Sequence, residues 1–183
     1  MIVNRTGLSL SWYAPDFLVG GAGWDIVRGG PGDDEYHGEG GNDVLIGRGG
    51  SDFLDGGAGD DRLYGGGGVD ALLGGDGEDT LYCGAGDDMC LGDAGDDWLY
   101  GGPGADTLEG GAGDDHLVGG PGSDKIDGGE GNDIVVYPLS RDNYVVSVDG
   151  DSVVIRSGAD IDTIRNVEQF HFGDDKVGLA DLP

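Results

Sequence analysis

The feature that most constrains this chain is an aspartate that recurs at every ninth residue from Asp25 to Asp133, thirteen times without interruption. A glycine stands two places before each of these aspartates, from Gly23 to Gly131, and is equally regular. Local folding alone does not require a carboxylate at one fixed phase for so many repeats. A carboxylate beside a sharp glycine turn, copied along a regular stack, does fit a row of sites for hard cations.

The composition excludes several classes of protein. Glycine accounts for 43 of the 183 residues but proline for only 6, without the three-residue glycine period of collagen. The chain carries 37 acidic and 9 basic residues, a formal net charge of −28. Such a charge repels nucleic acid and anionic lipid, so we predict neither as a partner. No apolar run approaches the roughly 20 residues that a membrane-spanning helix needs.

The nine-residue period divides the chain into three predicted regions. Residues 20–136 hold thirteen contiguous nonapeptides with no insertion. Residues 1–19 form an N-terminal segment with a degenerate repeat, in which Asp16 and Leu18 fall in phase without the glycines. Residues 137–183 are poor in glycine and rich in β-branched residues, and we predict a C-terminal β cap or tail there.

Each nonapeptide combines a glycine-rich half with a short strand. The glycines at positions 1 to 4 adopt positive φ without steric cost and so reverse the chain. Positions 7 to 9 predict a strand in which only the middle residue is consistently apolar and points inward. Because one nonapeptide reverses the chain once, two close a coil of 18 residues. We therefore predict an all-β fold, a right-handed parallel β-roll or two-sheet solenoid with a small C-terminal β cap.

The pattern G-G-x-G-x-D-x-U-x resembles the RTX (repeats-in-toxin) nonapeptide of secreted bacterial proteins. The resemblance implies Ca²⁺ between the turns of repeats n and n+2, which lie on the same edge of a parallel β-roll. The implied side-chain ligands are the position-6 aspartates Asp25, Asp34, Asp43, Asp52, Asp61, Asp70, Asp79, Asp88, Asp97, Asp106, Asp115, Asp124 and Asp133. The implied turn carbonyls are those of Gly23, Gly32, Gly41, Gly50, Gly59, Gly68, Gly77, Gly86, Gly95, Gly104, Gly113, Gly122 and Gly131.

Pairing of aspartates two repeats apart limits the number of sites. Pairs run from Asp25/Asp43 to Asp115/Asp133, so thirteen repeats allow up to eleven full Ca²⁺ sites, and Asp16 with Asp34 adds a partial twelfth. Eleven Ca²⁺ would change the formal net charge from −28 to −6, a usual value for a soluble domain. The variable aspartates at position 5, such as Asp33, are interpreted as turn chemistry or general acidity.

Outward-facing residues distinguish the two predicted sheets. At position 9, one sheet carries an apolar and aromatic stripe that includes Ile46, Tyr64, Tyr82, Tyr100 and Val118. Three interpretations are open: a ladder that stabilises neighbouring strands, cover by the chain's own tail, or a contact surface for another domain or protomer. We expect this face to be the more covered of the two, with Tyr82 less exposed than Leu91 on the opposite sheet.

The tail carries two recognisable patterns. Residues 144–148 and 152–156 read as strands of a hairpin around Asp149-Gly150-Asp151. Residues 162–175 resemble the D-T-[LI]-x-x-[VI]-E-x-[LF]-x-F-x-D-G segment that follows such rolls, and we expect them to cap the last coil. In the resembled family, such tails also carry an uncleaved signal for one-step (type I) secretion.

The remaining residues give no sign of catalysis. The sequence lacks H-E-x-x-H, G-x-S-x-G and the phosphate-binding loop, so we predict no enzyme activity for this chain. Its two cysteines do not form a disulfide framework, and Cys90, at a core position, is interpreted as a buried free thiol. The N-terminus lacks a signal-peptide pattern, so the expected location is extracellular without an N-terminal signal.

Three functions remain as hypotheses. The first is calcium binding by a calcium-dependent folding module of a secreted, type I exported bacterial protein. The second is an extracellular adhesion or ligand-binding module that uses the outer tyrosine and valine face of one sheet. The third is the non-catalytic C-terminal part of a larger secreted enzyme. The predicted cofactor is Ca²⁺, and a further domain or protomer on the outer face is the one additional partner considered.

Overall fold

The computed structural model describes residues 6–9 and 16–182, and this part of the chain is an all-β parallel solenoid with 18 residues per coil. Two 3₁₀ turns, Arg141–Asn143 and Leu179–Asp181, accompany the strands. The strands are β1 (Thr6–Ser9), β2 (Phe17–Ala22), β3 (Ile26–Arg28), β4 (Glu35–Gly40), β5 (Val44–Gly49), β6 (Phe53–Ala58), β7 (Arg62–Gly67), β8 (Ala71–Asp76), β9 (Thr80–Ala85), β10 (Met89–Ala94), β11 (Trp98–Tyr100), β12 (Thr107–Ala112), β13 (His116–Val118), β14 (Lys125–Glu130), β15 (Ile134–Tyr137), β16 (Val145–Asp149), β17 (Ser152–Ser157), β18 (Asp160–Arg165), β19 (Gln169–Phe172) and β20 (Asp175–Gly178).

Successive strands alternate between two sheets, as the period of 18 predicts. Sheet 1 has the order β1-β3-β5-β7-β9-β11-β13-β15-β19-β20, and sheet 2 the order β16-β17-β18-β14-β12-β10-β8-β6-β4-β2. Along the repeats the strands are parallel, and each residue pairs with the residue 18 positions on, as Leu45 does with Leu63. The predicted β-roll architecture with two sheets is therefore confirmed.

Most strands are longer than the three residues that the hydrophobic pattern predicts. In β5 and β7 the pairing continues past the apolar positions to Arg48↔Gly66 and Gly49↔Gly67. The first three positions of a repeat thus belong to the strand, and the chain reverses at positions 4 to 6. Positions 2 and 4 both have positive φ, as at Gly66 (+115°) and Gly68 (+137°), and a Cβ on Gly68 would contact the Gly50 carbonyl group.

The core is a single file of inward-facing side chains between the sheets. The position-8 residues from Leu45 to Leu117 are at most 1% exposed. Inward orientation continues to position 1, where Cys83 replaces the glycine of other repeats and forms a disulfide with Cys90, with the two Cα atoms 6.5 Å apart. The interpretation of Cys90 as a free thiol is wrong, because positions 1 and 8 of neighbouring strands meet inside the roll.

The tail continues both sheets before it ends the roll. The hairpin is confirmed, since β16 and β17 pair antiparallel around Gly150. Strand β18 then adds in parallel to β14, and β19 adds in parallel to β15. Tyr137 thereby occupies position 1 of a fourteenth repeat and Asp162 its position 6, with the hairpin inserted between them. The rings of Tyr137, Tyr144 and Phe172 pack together at this end, with centroids 5.0 to 5.5 Å apart.

The outer tyrosine stripe is not the more covered face. Tyr82 is 39% exposed, whereas Leu91 on the opposite sheet is half-buried, so the expectation that Tyr82 is the less exposed residue is wrong. The tail lengthens the sheets instead of lying across this face. The rings of Tyr64, Tyr82 and Tyr100 stack on one another, with centroids 5.0 and 4.8 Å apart. This stacking favours the interpretation as a strand-stabilising ladder.

Removal of the central ring should therefore weaken the roll by a measurable amount. Tyr82→Ser deletes two ring contacts, and we expect a loss of about 1 kcal/mol in the free energy of unfolding in saturating Ca²⁺. Thermal or denaturant unfolding measures it. Tyr82→Phe keeps the ring and serves as the control. Equal stability of the Ser and Phe variants would show that the stack does not contribute.

Candidate metal centres

The position-6 aspartates form two rows, one along each edge of the roll. Row 1 consists of Asp25, Asp43, Asp61, Asp79, Asp97, Asp115 and Asp133, and row 2 of Asp34, Asp52, Asp70, Asp88, Asp106 and Asp124. All thirteen carboxylates are buried, with exposures between 0 and 3%. Position 6 is inward because it continues the alternation of positions 8 and 1. Uncompensated carboxylates are among the costliest groups to bury, so this arrangement demands a counter-charge.

One oxygen of each carboxylate joins the predicted pairs. The backbone N–H of each aspartate donates to Oδ1 of the aspartate 18 residues later, as from Asp79 to Asp97 at 2.8 Å. Eleven such bonds, 2.6 to 3.0 Å long, run from Asp25/Asp43 to Asp115/Asp133. The structure thus brings together every aspartate pair that the repeat phase predicts.

The second oxygen, Oδ2, has no hydrogen-bond partner among the described residues in twelve of the thirteen aspartates. Each Oδ2 faces the position-1 residue of its own repeat. An ideal Cβ placed on Gly101 would lie 2.6 Å from Asp106 Oδ2 and 2.6 Å from the Gly119 carbonyl oxygen. We call this space the cradle of the aspartate. A buried anionic oxygen and a carbonyl oxygen that converge on one space are the donors that Ca²⁺ prefers, so the residues fit this ion.

Burial also perturbs the ionisation of these carboxyl groups. It raises the pKa of Asp97 to about 8; the hydrogen bond from the Asp79 N–H lowers this pKa by less, and the neighbouring carboxylates raise it further. The pKa of Asp61 and that of Asp124 rise to about 7 for the same reason. Without a cation, Asp97 therefore favours its protonated form at neutral pH, and Asp61 and Asp124 are partly protonated there.

The carbonyls that face the cradles are not those of the predicted turn glycines. At position 4, the Gly50 carbonyl oxygen contacts the place of a Cβ on Gly68, so this series lines up along the turns. The oxygens in the cradles belong to position 1, as with Gly38 in the cradle of Asp25, where the corresponding distance is 2.8 Å. The turn carbonyls of position 4 stay a prediction as ligands, and the position-1 carbonyls were not singled out from the sequence. Their signal was the inward phase that they share with the aspartates.

Two acidic residues of the tail extend the rows. Asp162 Oδ1 accepts a hydrogen bond from the Asp124 N–H at 3.0 Å, which continues row 2. Glu168 Oε2 accepts from the Asp133 N–H at 2.8 Å, which continues row 1. At the other end, the Asp16 N–H donates to Asp34 Oδ1 at 2.8 Å, as expected for the partial repeat. Asp162 and Glu168 were missed as row members because the hairpin breaks the nine-residue count.

The position-5 aspartates have the predicted role in the turns. Asp33 Oδ1 accepts from the Ser51 N–H at 2.7 Å, and Asp96 Oδ1 accepts from the Asp114 N–H at 2.8 Å, both on the exposed side. In residues 6–9 and 16–182, no three Asp, Glu, His or Cys side chains form a group that could hold a metal ion by themselves. A cation in the rows must therefore take backbone oxygens as well.

These features define a class of protein: a parallel β-roll whose two edges are lined by buried, phase-locked carboxylates. Comparison with known families assigns it further. The RTX calcium-binding nonapeptide repeat matches in four copies, at residues 14–36, 37–72, 64–99 and 100–135. The chain belongs to this family. RTX repeats bind calcium, the proteins that carry them are typically secreted by bacteria, and the repeat module itself is not catalytic.

Other comparisons add little. No curated protein sequence matches the chain. A similar solved structure is the extracellular lipase LipA from Serratia marcescens, with 18% sequence identity and a TM-score of 0.23. The match covers 96% of this chain and 40% of the lipase chain. No helix among the described residues is long and apolar enough to cross a membrane.

Proposed function

We propose that this chain is a calcium-dependent folding module, in which Ca²⁺ supplies the counter-charge that the two aspartate rows need. The observation that carries the proposal is the set of twelve buried Oδ2 atoms without a hydrogen-bond partner. Replacing water around a buried carboxylate costs several kcal/mol unless an opposite charge is present. Since a domain is stable by only about 5–15 kcal/mol, the rows cannot remain ionised and folded without cations.

The groups that would hold the ion are the same in each regular repeat. For Asp106, they are its Oδ2 and the Gly119 carbonyl oxygen, with the next aspartate of the row held in register by its hydrogen bond. Bound Ca²⁺ would supply a divalent charge and accept oxygen ligands at about 2.3–2.6 Å. Position 1 requires glycine where these two oxygens converge, because any Cβ there would contact the carboxylate.

Binding and folding are coupled because the unfolded chain has no cradle. Each ion that binds only the folded state stabilises it by about 2.7 kcal/mol when calcium exceeds the dissociation constant 100-fold. Eleven such ions would contribute about 30 kcal/mol, which is well above the stability of an ordinary domain. Calcium therefore decides whether the roll forms.

This coupling suits a protein that is exported unfolded. In the low calcium of a bacterial cell, the −28 charge would keep the chain open, and the higher calcium outside would fold it after secretion. We infer a type I exported protein on this basis, together with the family assignment. The module would then serve as a non-catalytic part of a larger secreted protein, such as an enzyme.

A calcium titration of the metal-free chain tests the proposal. At about pH 7.5 we expect little β-structure in chelator and a cooperative gain of far-UV circular dichroism on addition of Ca²⁺, reversed by chelator. Equimolar Mg²⁺ is the control, and we expect it to be much less effective, because Mg²⁺ loses water reluctantly and demands octahedral geometry. A chain that is fully folded in chelator and takes up no Ca²⁺ would contradict the proposal.

A further inference from the structure

The two rows differ in what occupies their cradles. In row 1, the position-1 residue of every repeat is a glycine. The nearest side chain to each of these glycines is the aspartate of the same repeat, and no other side chain is among the nearest contacts. The glycines of row 1 are Gly20, Gly38, Gly56, Gly74, Gly92, Gly110 and Gly128. In row 2, three cradles contain an additional side chain. These three are the cradles of Asp34, of Asp88 and of Asp162, the tail residue that continues row 2.

The first of them is the cradle of Asp34. Tyr36 takes the core position that is leucine in most repeats, is 0% exposed, and directs its hydroxyl towards the row. An ideal Cβ on Gly29 would lie 2.9 Å from the Tyr36 Oη and 2.6 Å from the Gly47 carbonyl oxygen, in contact with Asp34 Oδ2 as well. Asp34 Oδ2 also accepts from the Gly30 N–H at 3.1 Å. This carboxylate is thus the exception among the thirteen, with a donor already in place.

The last cradle of row 2 also contains a tyrosine hydroxyl, which is hydrogen-bonded here, whereas the Tyr36 hydroxyl lies beside Asp34 without a hydrogen-bond partner among the described residues. Tyr137 stands at position 1 of the fourteenth repeat, where a glycine would leave the cradle free. Its hydroxyl donates a hydrogen bond of 2.7 Å to Asp162 Oδ2. Both groups are buried, with exposures of 8% and 6%. A hydroxyl that donates to a carboxylate partly neutralises it and satisfies the oxygen that is unpartnered in the interior repeats.

The cradle of Asp88 contains the Cβ of Cys83. Cys83 occupies position 1 of this repeat and is in register between Gly65 and Gly101, so its Cβ stands where those glycines leave space. Its sulfur is fixed by the bond to Cys90 and cannot rotate away. The Cys83 carbonyl oxygen still faces the neighbouring cradle of Asp70. Only the Asp88 cradle is therefore changed.

We propose that tyrosine hydroxyl groups replace the cation at Asp34 and Asp162 of row 2 and that the Cys83 side chain excludes it at Asp88, so that the two edges of the roll are not equivalent. This inference rests on the proposed calcium function and specifies which aspartate pairs bind the ion. Two of the eleven pairs, Asp34/Asp52 and Asp88/Asp106, then lack a cation, which leaves nine full sites. Row 1 keeps its full set. Row 2 is closed at both ends by hydroxyl groups and at its middle by the disulfide-linked cysteine.

Restoring the free cradles should add ions one at a time. Tyr36→Phe keeps the buried ring and removes the hydroxyl, and we expect one more bound Ca²⁺ than in the wild type. Tyr82→Phe removes a hydroxyl from the outer face and should leave the count unchanged. Native mass spectrometry of the full chain in Ca²⁺ counts the ions, with equilibrium dialysis as a solution check. A gain of an ion cannot result from misfolding.

A matched pair of variants tests the position of Cys83 beside Asp88. Cys83→Gly with Cys90→Leu recreates the regular repeat, and we expect one additional ion. Cys90→Leu alone also removes the disulfide but leaves the Cβ of Cys83 in the cradle, so its count should equal that of the wild type. This comparison separates the filled space from the loss of the covalent bond.

The outcomes distinguish this inference from the proposed function. If the wild type binds Ca²⁺ and both restored variants gain one ion, the inference stands. If the wild type binds Ca²⁺ but Tyr36→Phe keeps the same count, the hydroxyl does not replace an ion there and the inference is overturned. A lower count would identify Tyr36 as a ligand and overturn it equally. A wild type that binds no Ca²⁺ would overturn the proposed function first, and this inference with it.

Discussion

The metal-free chain is expected to gain β-structure when the pH is lowered from about 8 to about 5.5, and to lose it when the pH is raised again. Burial raises the pKa of Asp97 to about 8, of Asp61 and Asp124 to about 7, and of Asp52, Asp70 and several further aspartates to about 6. Their ordinary value is 3.8. Protons can thus replace calcium in part, because they remove the charge that the fold cannot bury.

Proton binding stabilises the folded metal-free chain. Since the folded-state pKa lies above the unfolded value, protons bind more tightly to the folded chain. The stabilising effect is fully present below about pH 4 and is lost as the pH rises through about 6 to 8. In saturating Ca²⁺ the order is reversed, because the ion binds the ionised carboxylates and is displaced by protons at low pH.

Circular dichroism of the same sample in chelator and in Ca²⁺, measured across this pH range, checks the pH dependence of the metal-free chain and that of the calcium-bound chain. We expect the two stability curves to have opposite slopes. A metal-free chain with the same β-content at about pH 5.5 and about pH 8 would show that the buried aspartates do not control folding. Added salt is a useful control for the general −28 charge, because screening weakens repulsion between exposed groups far more than the effect of burial.

The sequence alone predicts the coil and the aspartate pairs because both are properties of phase. A residue that recurs every nine positions in a chain that reverses every nine must align with its copy 18 positions on, and the Asp79–Asp97 bond is one result. The strand length was harder to predict, because glycine at positions 1 to 3 carries no hydrophobic signal. The disulfide was missed for the same reason. Position 1 is glycine in the other repeats, so no side chain there indicates that Cys83 points inward.

The nine-residue period does not predict the row members of the tail. Asp162 belongs to row 2 but lies 38 residues after Asp124 instead of 18, since a hairpin is inserted within its repeat. Nothing in the count of nine marks Asp162 as a row member. The exposure of Tyr82 was also wrongly predicted, because the apolar and aromatic stripe was taken as a sign of a covered face, whereas the tail strands add to unpaired strand edges at the end of the roll.

Asp97→Asn is expected to reduce the number of bound calcium ions by about two and to stabilise the metal-free chain. Asp97 belongs to two pairs, because its Oδ1 accepts from the Asp79 N–H and its own N–H donates to Asp115. Asparagine keeps the first bond and removes the buried charge. At calcium 100-fold above the dissociation constant, two lost ions correspond to about 5 kcal/mol of stability. Without calcium, the absence of a carboxylate whose pKa is raised to about 8 favours folding at neutral pH.

Asp96→Asn is the matched control for this variant, because it removes the same charge one residue away. Asp96 lies on the exposed side of the turn, where its Oδ1 accepts from the Asp114 N–H, and asparagine can accept that bond too. We expect an unchanged ion count and a change in stability below about 0.5 kcal/mol. Equal effects of the two substitutions would mean that calcium responds to the total charge of the turns. A loss confined to Asp97→Asn, with opposite signs in chelator and in calcium, would place the ions in the buried rows.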